Sequence, residues 1–221
     1  MALEVETKDC TALSDAEISE MAELVTGENV HFDVGHLSKQ RDAWVLVTHV
    51  RDGAKLAAYG FFTLERVGGD PSVLMGAGAT RRSARRDSAL RAMMTDQLRR
   101  AVLAFPDEDV LVACQMADAA AFTAFRQLDR VVPRPGYEPN GEDRAWGRRL
   151  AKRFDVQGEY KAREFKICGD GGPSFVLNHT APKPEKLEPA VIGLFDGFDT
   201  AAGDALIAFG WASREDLAKL L

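Results

Sequence analysis

The stretch Met75-Gly-Ala-Gly-Ala-Thr-Arg-Arg-Ser-Ala-Arg-Arg-Asp-Ser-Ala-Leu90 constrains this chain more than any other, because an apolar run meets four arginines and passes straight into a helical pattern. Small and apolar residues over 72–80 predict a strand, and Gly76 and Gly78 within it mark a bulge or a place where something approaches the backbone closely. Over 88–105, Leu90, Met94, Leu98, Ala101 and Phe105 recur at helical spacing, with Arg91, Asp96, Arg99 and Arg100 on the other face. A strand, a turn and a helix start in that order gather unpaired backbone N–H groups and the positive end of the helix dipole. Oxygen anions collect at such a point, and Arg81, Arg82, Arg85 and Arg86 would add charge and forked hydrogen bonds. The same arginines would also suit a solvated turn, so this stretch alone leaves both readings open.

The flanking sequence supplies a sheet for the strand to join. Ser14 and Glu17 form a capping box ahead of an apolar stripe, Ile18, Met21, Ala22 and Val25, that ends at Gly27. Residues 44–50 read as a buried strand, Asp52-Gly53 as a hairpin turn and 55–67 as the returning strand, followed by a second turn, Gly68-Gly69-Asp70-Pro71. After the helix comes a short apolar strand over 109–115 and a helix over 119–128 capped by Asp118. Pro133, Pro135 and Pro139 then break regular structure, which places a core domain over 1–135 and a C-terminal extension over 136–221 packing on it. The extension offers a helix over 142–154, strands over 164–168 and 174–178, a turn over 170–173, a charged loop over 181–189 and an apolar strand over 204–211. That last strand is too apolar to be left in water.

Totals narrow the function classes. A net charge of -6 opposes a general nucleic-acid binder, although a local basic patch can still hold a small anion. The opening Met1-Ala-Leu-Glu-Val-Glu lacks the basic start and apolar stretch of a secretory signal, and no apolar run approaches the ~20 residues of a membrane helix. Cys10, Cys114 and Cys168 are odd in number and widely spaced, which points to free thiols in a reducing compartment. The expectation is a cytoplasmic protein that engages neither membrane nor nucleic acid.

With this order of elements and this loop, residues from about Ser14 to Pro135 resemble the GCN5-related N-acetyltransferase superfamily. The resemblance implies an α/β (α+β) fold with a mixed, mainly antiparallel central sheet flanked by helices, plus a C-terminal strand and helix extension. It also implies that a bulged central strand leads into a loop holding the pyrophosphate of acetyl-CoA or another acyl-CoA as co-substrate. On this chain the cofactor-binding stretch is Ala79, Thr80, Arg81, Arg82, Arg85, Arg86, Asp87, Ser88 and Ala89. The family's loop pattern, Arg or Gln, two residues, Gly, one residue, then Gly or Ala, falls on residues 85–90. Arg85 fits it, whereas Ser88 and Leu90 stand where small residues let the backbone touch the pyrophosphate. Where the family often has an asparagine and, eight residues on, a tyrosine acting as general acid, this chain has Ala117 and Phe125; Tyr137 is a substitute for the latter.

An attacking amine must lose a proton, and Glu65 and His49, near the ends of the hairpin strands, are the best-placed titratable groups. Each also suits a structural role. Cys114 could accept an acyl group, but a buried cysteine acting as a small apolar residue is the simpler account. His31, Asp33 and His36 would suit a metal only with a further ligand, and a polar segment shaping the acceptor side of the cleft is simpler; no metal is assigned. Two readings follow. One is direct acyl transfer to a small-molecule or peptide amine, the thioester lying between the strands over 72–80 and 109–115. The other keeps the fold without the reaction, as a ligand-binding or assembly module, a homodimer among its forms.

Overall fold

The computed structural model of the chain describes residues 2–24, 32–156, 158–171, 174, 176–179 and 186–221. The expected first-helix end at Gly27, His31, the Gly172-Pro173 half of the predicted turn and most of the 181–189 loop lie outside them. One sheet organises the rest. Strand β1 (Glu4–Asp9) pairs antiparallel with β2 (Leu46–Asp52), β2 with β3 (Lys55–Val67) and β3 with β4 (Asp70–Thr80). Strand β4 then pairs in parallel with β5 (Val110–Met116), giving the mixed, mainly antiparallel sheet that the resemblance implies.

Helices cover both faces. Helix α1 (Asp15–Glu23), opened by the expected Ser14–Glu17 capping box, α2 (Val34–Ala43) and α4 (Gly141–Arg153) lie on one side. There Ile18, Met21, Leu37, Trp146 and Leu150 share a core with Tyr59, Phe61, Leu74 and Leu111. On the other side α3 (Arg86–Ala104) buries Leu90, Met93, Met94 and Leu98 against Phe62, Val73, Met75 and Val112. Adjacent strand residues thus go to opposite cores, as the two-residue period of a pleat requires. A 3₁₀ helix, Ala119–Phe125, stands where the pattern predicts an α-helix to residue 128, and Asp118 caps it as expected.

Strands from both sides of residue 135 share the sheet. Strand β10 (Ala205–Ala212) pairs antiparallel with β5 over seven residues, and β6 (Asp129–Val132) pairs with β10 in turn. The tail therefore packs on the sheet through α4 and also completes it through β10, because an apolar β5, buried throughout, needs a partner on its second edge. Two short strands, β7 (Tyr160–Lys161) and β8 (Lys166–Ile167), extend this side. Short helices α5 (Pro189–Ile192) and α6 (Arg214–Ala218) flank β10 in sequence.

Strand β4 carries the bulge that its glycines announce. Phe62 pairs with Met75 and Gly60 with Gly78, so Phe61 alone faces both Gly76 and Ala77. The freed Ala77 N–H donates to Gln40 Oε1 at 3.0 Å, and the same oxygen accepts from Trp44 Nε1 at 2.9 Å. The Trp44 ring lies so close to Gly76 that a Cβ there would sit 2.3 Å from Trp44 Cε2. Gly76→Ala is expected to lose about 1–3 kcal/mol in urea denaturation through overpacking. In a Trp44→Leu background that loss should largely vanish, and a loss of equal size in both backgrounds would contradict the contact.

Candidate functional site

Beyond the bulge, β4 and β5 part. They pair only where Ser72, Val73 and Leu74 face Leu111, Val112 and Ala113. Further on, Gly78 and Ala79 pair instead with Leu177 and Asn178 of strand β9 (Leu177–Asn178), and Met116 pairs with Leu177 from the other side. The opening is V-shaped, and residues 176–179 of the same chain lie in it. The Gly78 N–H donates to the Val176 carbonyl at 3.2 Å. Val176 joins the core under α1, α2 and α4, while Leu177 joins the core under α3. Both are fully buried, a gain of about 1.5–3 kcal/mol for each side chain.

The open end of the V is the arginine loop, and most of its charge is turned into the protein. Arg81 donates from its backbone to Ala57 O and from Nε to Leu56 O, each at 2.7 Å. Arg85 Nη1 meets Asp52 Oδ1 at 2.6 Å. Arg86 is 8% exposed, and its Nη1 donates to the His179 carbonyl at 3.3 Å. Burial lowers its pKa from the usual guanidinium value. Arg82 is exposed. Of the residues in the family's small positions, Ser88 is exposed, whereas Leu90 points into the core and leaves the first turn of α3 clear.

The nine expected cofactor-binding residues are thus gathered at one end of β4 and the start of α3, joined by a histidine the sequence reading did not single out. His179 is fully buried; its Nδ1 lies 2.6 Å from Thr80 Oγ1 and its Nε2 3.0 Å from Asp87 Oδ1. Neutral imidazole satisfies both: Nε2–H donates to the carboxylate and Nδ1 accepts from the hydroxyl. Burial, followed by the positive charge of Arg86, lowers its pKa to about 4. A short apolar run such as residues 174–178 gives no hint of which strands it will join, so this placement was not legible.

The two expected catalytic residues do not join this cluster. Glu65 pairs with Ser72 at the far end of β4, about 25 Å along the strand from Thr80, and its carboxylate is held by Arg153 of α4 at 2.5 and 3.1 Å. His49 is buried on β2, two strands from the opening, with Nε2 3.3 Å from Met21 Sδ and a pKa lowered by burial. Phe125 is buried, and the Tyr137 hydroxyl is spent on Asp143 at 2.8 Å, which raises its pKa. Burial also pushes up the Cys114 thiol, so it is not a ready nucleophile. Asp33 caps α2 by accepting from the His36 N–H at 2.8 Å; among the described residues no group of three metal-ligating side chains occurs. Among them, too, no helix is long and apolar enough to cross a membrane.

No family model and no curated protein matches the sequence. Comparison with solved structures finds N-acyltransferases. An acyl-CoA N-acyltransferase from Pseudomonas aeruginosa is 17% identical with a TM-score of 0.41, covering 56% of this chain and 82% of that one. The ribosomal-protein-S18-alanine N-acetyltransferase from Escherichia coli is 10% identical with a TM-score of 0.41, covering 63% and 86%. Escherichia coli ElaA is 16% identical with a TM-score of 0.39, covering 63% and 95%.

The His179 cluster gives a pH signature. Its groups are Thr80, Asp87, Arg86 and, by charge alone, Arg126. Because the folded-state pKa lies below the unfolded value, the stability carried by neutral His179 is present above pH ~6.5. It is lost as pH falls towards 4, up to about 3 kcal/mol in all. Denaturation curves between pH 7 and 4 should therefore fall more steeply for the wild-type chain than for His179→Gln, and parallel curves would contradict the assignment.

Proposed function

We propose that the chain is an acyl-CoA-dependent N-acyltransferase whose co-substrate runs between β4 and β5 and whose amine acceptor approaches from the side of α1 and α2. The observation that carries this reading is the parting of the two parallel strands beyond Leu74 and Ala113, which turns the Gly78 N–H towards the gap. That N–H already holds a carbonyl, that of Val176, and so fits the oxygen of an acyl or amide group at the same point. At the mouth, the first turn of α3 together with Arg82, Arg85 and Arg86 suits a diphosphate, and the inward turn of Leu90 removes the obstruction its position implies. Within this reading the Gly78 N–H would stabilise charge on the thioester oxygen, and the strand walls would exclude water while an amine attacks directly. Acceptors are small-molecule or peptide amines. Position 125 provides no tyrosine for the departing thiolate, so water supplies the proton it takes up.

A second reading is supported by the segment in the gap: a protein that keeps the fold, fills the cofactor slot with its own chain and serves as a binding or assembly module. Calorimetric titration separates the two. Acetyl-CoA and CoA are expected to bind well above ATP, and Arg82→Ala with Arg85→Ala to weaken both at least tenfold without unfolding the protein. These two arginines are chosen because Arg86 also holds residue 179. Unchanged affinity in the double variant would refute the loop assignment. Thiol release on mixing acetyl-CoA with a panel of amines then tests the reaction.

A further inference from the structure

The segment that fills the gap makes contacts that an incoming acyl-CoA would need, and this inference rests on the acyl-CoA reading above. We propose that residues 176–179 are an internal competitor of acyl-CoA, a wedge that closes the slot in the free protein and withdraws when the co-substrate enters, so that its release sets cofactor affinity.

Three observations carry it. The first is identity of contacts. The Gly78 N–H, the donor aimed into the gap, is taken by Val176 O, and the apolar walls are taken by the Val176 and Leu177 side chains. An extended chain with spaced carbonyls, which is what the pantetheine arm is, would use the same strand edge in the same manner.

The second is the latch. At its far end the wedge is fixed to the phosphate loop, by Arg86 on the His179 carbonyl and by Thr80 and Asp87 on the His179 ring. A diphosphate arriving at the first turn of α3 would attract Arg86 away from that carbonyl and repel Asp87, the carboxylate that orients the imidazole. The charge of the ligand thus acts on the groups that hold the wedge, and the coupling is reciprocal: whatever tightens the latch weakens acyl-CoA binding by the same factor.

The third is how little of the sheet depends on the wedge. Strand β9 pairs with two residues of β4 and one of β5, while β5 keeps seven pairs with β10 and three with β4. Its departure leaves every other ladder of the sheet in place. In such a competition the apparent affinity for acyl-CoA falls in proportion to the fraction of molecules with the slot open.

The test uses the whole chain with two cysteines at facing positions, Ala79→Cys and Asn178→Cys, which pair directly in the parallel ladder between β4 and β9. Acetyl-CoA affinity is measured by calorimetry for the oxidised and reduced forms of the same preparation, with far-ultraviolet circular dichroism to confirm the fold, and for His179→Ala. The expected result is at least a tenfold loss of affinity on oxidation, restored by reduction, and at least a tenfold gain in His179→Ala over wild type. Equal affinity of the oxidised and reduced forms overturns the wedge while leaving the acyl-CoA reading intact. Absence of binding in the wild-type, reduced and His179→Ala proteins alike, all folded, overturns the acyl-CoA reading and the wedge with it.

Discussion

The bulge in β4 is the constraint on which the rest of this structure depends. Two residues, Gly76 and Ala77, occupy the place of one opposite Phe61, and the amide this frees is satisfied by Gln40, whose side-chain oxygen also holds Trp44. Gly76 has no side chain because the Trp44 ring occupies that space. Helix α2 therefore pins the bend from one face of the sheet, and the bend leads β4 away from its parallel partner after only three paired residues. The candidate site is built on that separation. A gap between two parallel strands exposes unpaired backbone groups, and these need a partner from the chain or from a ligand.

The arginine cluster reads differently once its partners are known. Four adjacent cations suggest a single anion site, yet Arg81 and Arg85 tie the loop to the hairpin of β2 and β3, and Arg86 reaches the backbone at residue 179. Asp52 and Asp87 offset part of the charge. The loop is thus held in shape by its own arginines, with Arg82 in the loop and Ser88 in the first turn of α3 at the surface. Such a loop has part of its polarity in place before a ligand arrives.

How much of this the sequence makes legible depends on the range of the interactions concerned. The capping box at Ser14, the hairpin turn at Gly53, the 55–67 strand and the amphipathic α3 are local patterns, and each is found where the pattern puts it. Helix α2 is not evident, because only Leu37 and Gln40 are buried among its polar residues and Gln40 satisfies a bulge 37 residues away. The pairing of strands across Pro135 is hidden for a similar reason. Proline and glycine mark a break in regular structure, but sheet pairing between β5 and β10 joins residues 90 to 102 positions apart and leaves no local mark. Glu65 and His49 were singled out by residue type and strand position, whereas their roles are fixed by partners on α4 and α1, Arg153 and Met21. The position of residues 176–179 is of this long-range kind.

In the proposed competition, one slot between β4 and β5 serves both the chain's own segment and acyl-CoA. Site-resolved amide hydrogen exchange, with and without saturating acetyl-CoA, tests it most directly, since protection reports local opening of hydrogen-bonded backbone. The account expects amides within residues 176–179 to lose protection when the ligand binds, while those of β4 and β5 keep theirs. Binding of acetyl-CoA with protection of residues 176–179 unchanged or increased would contradict it.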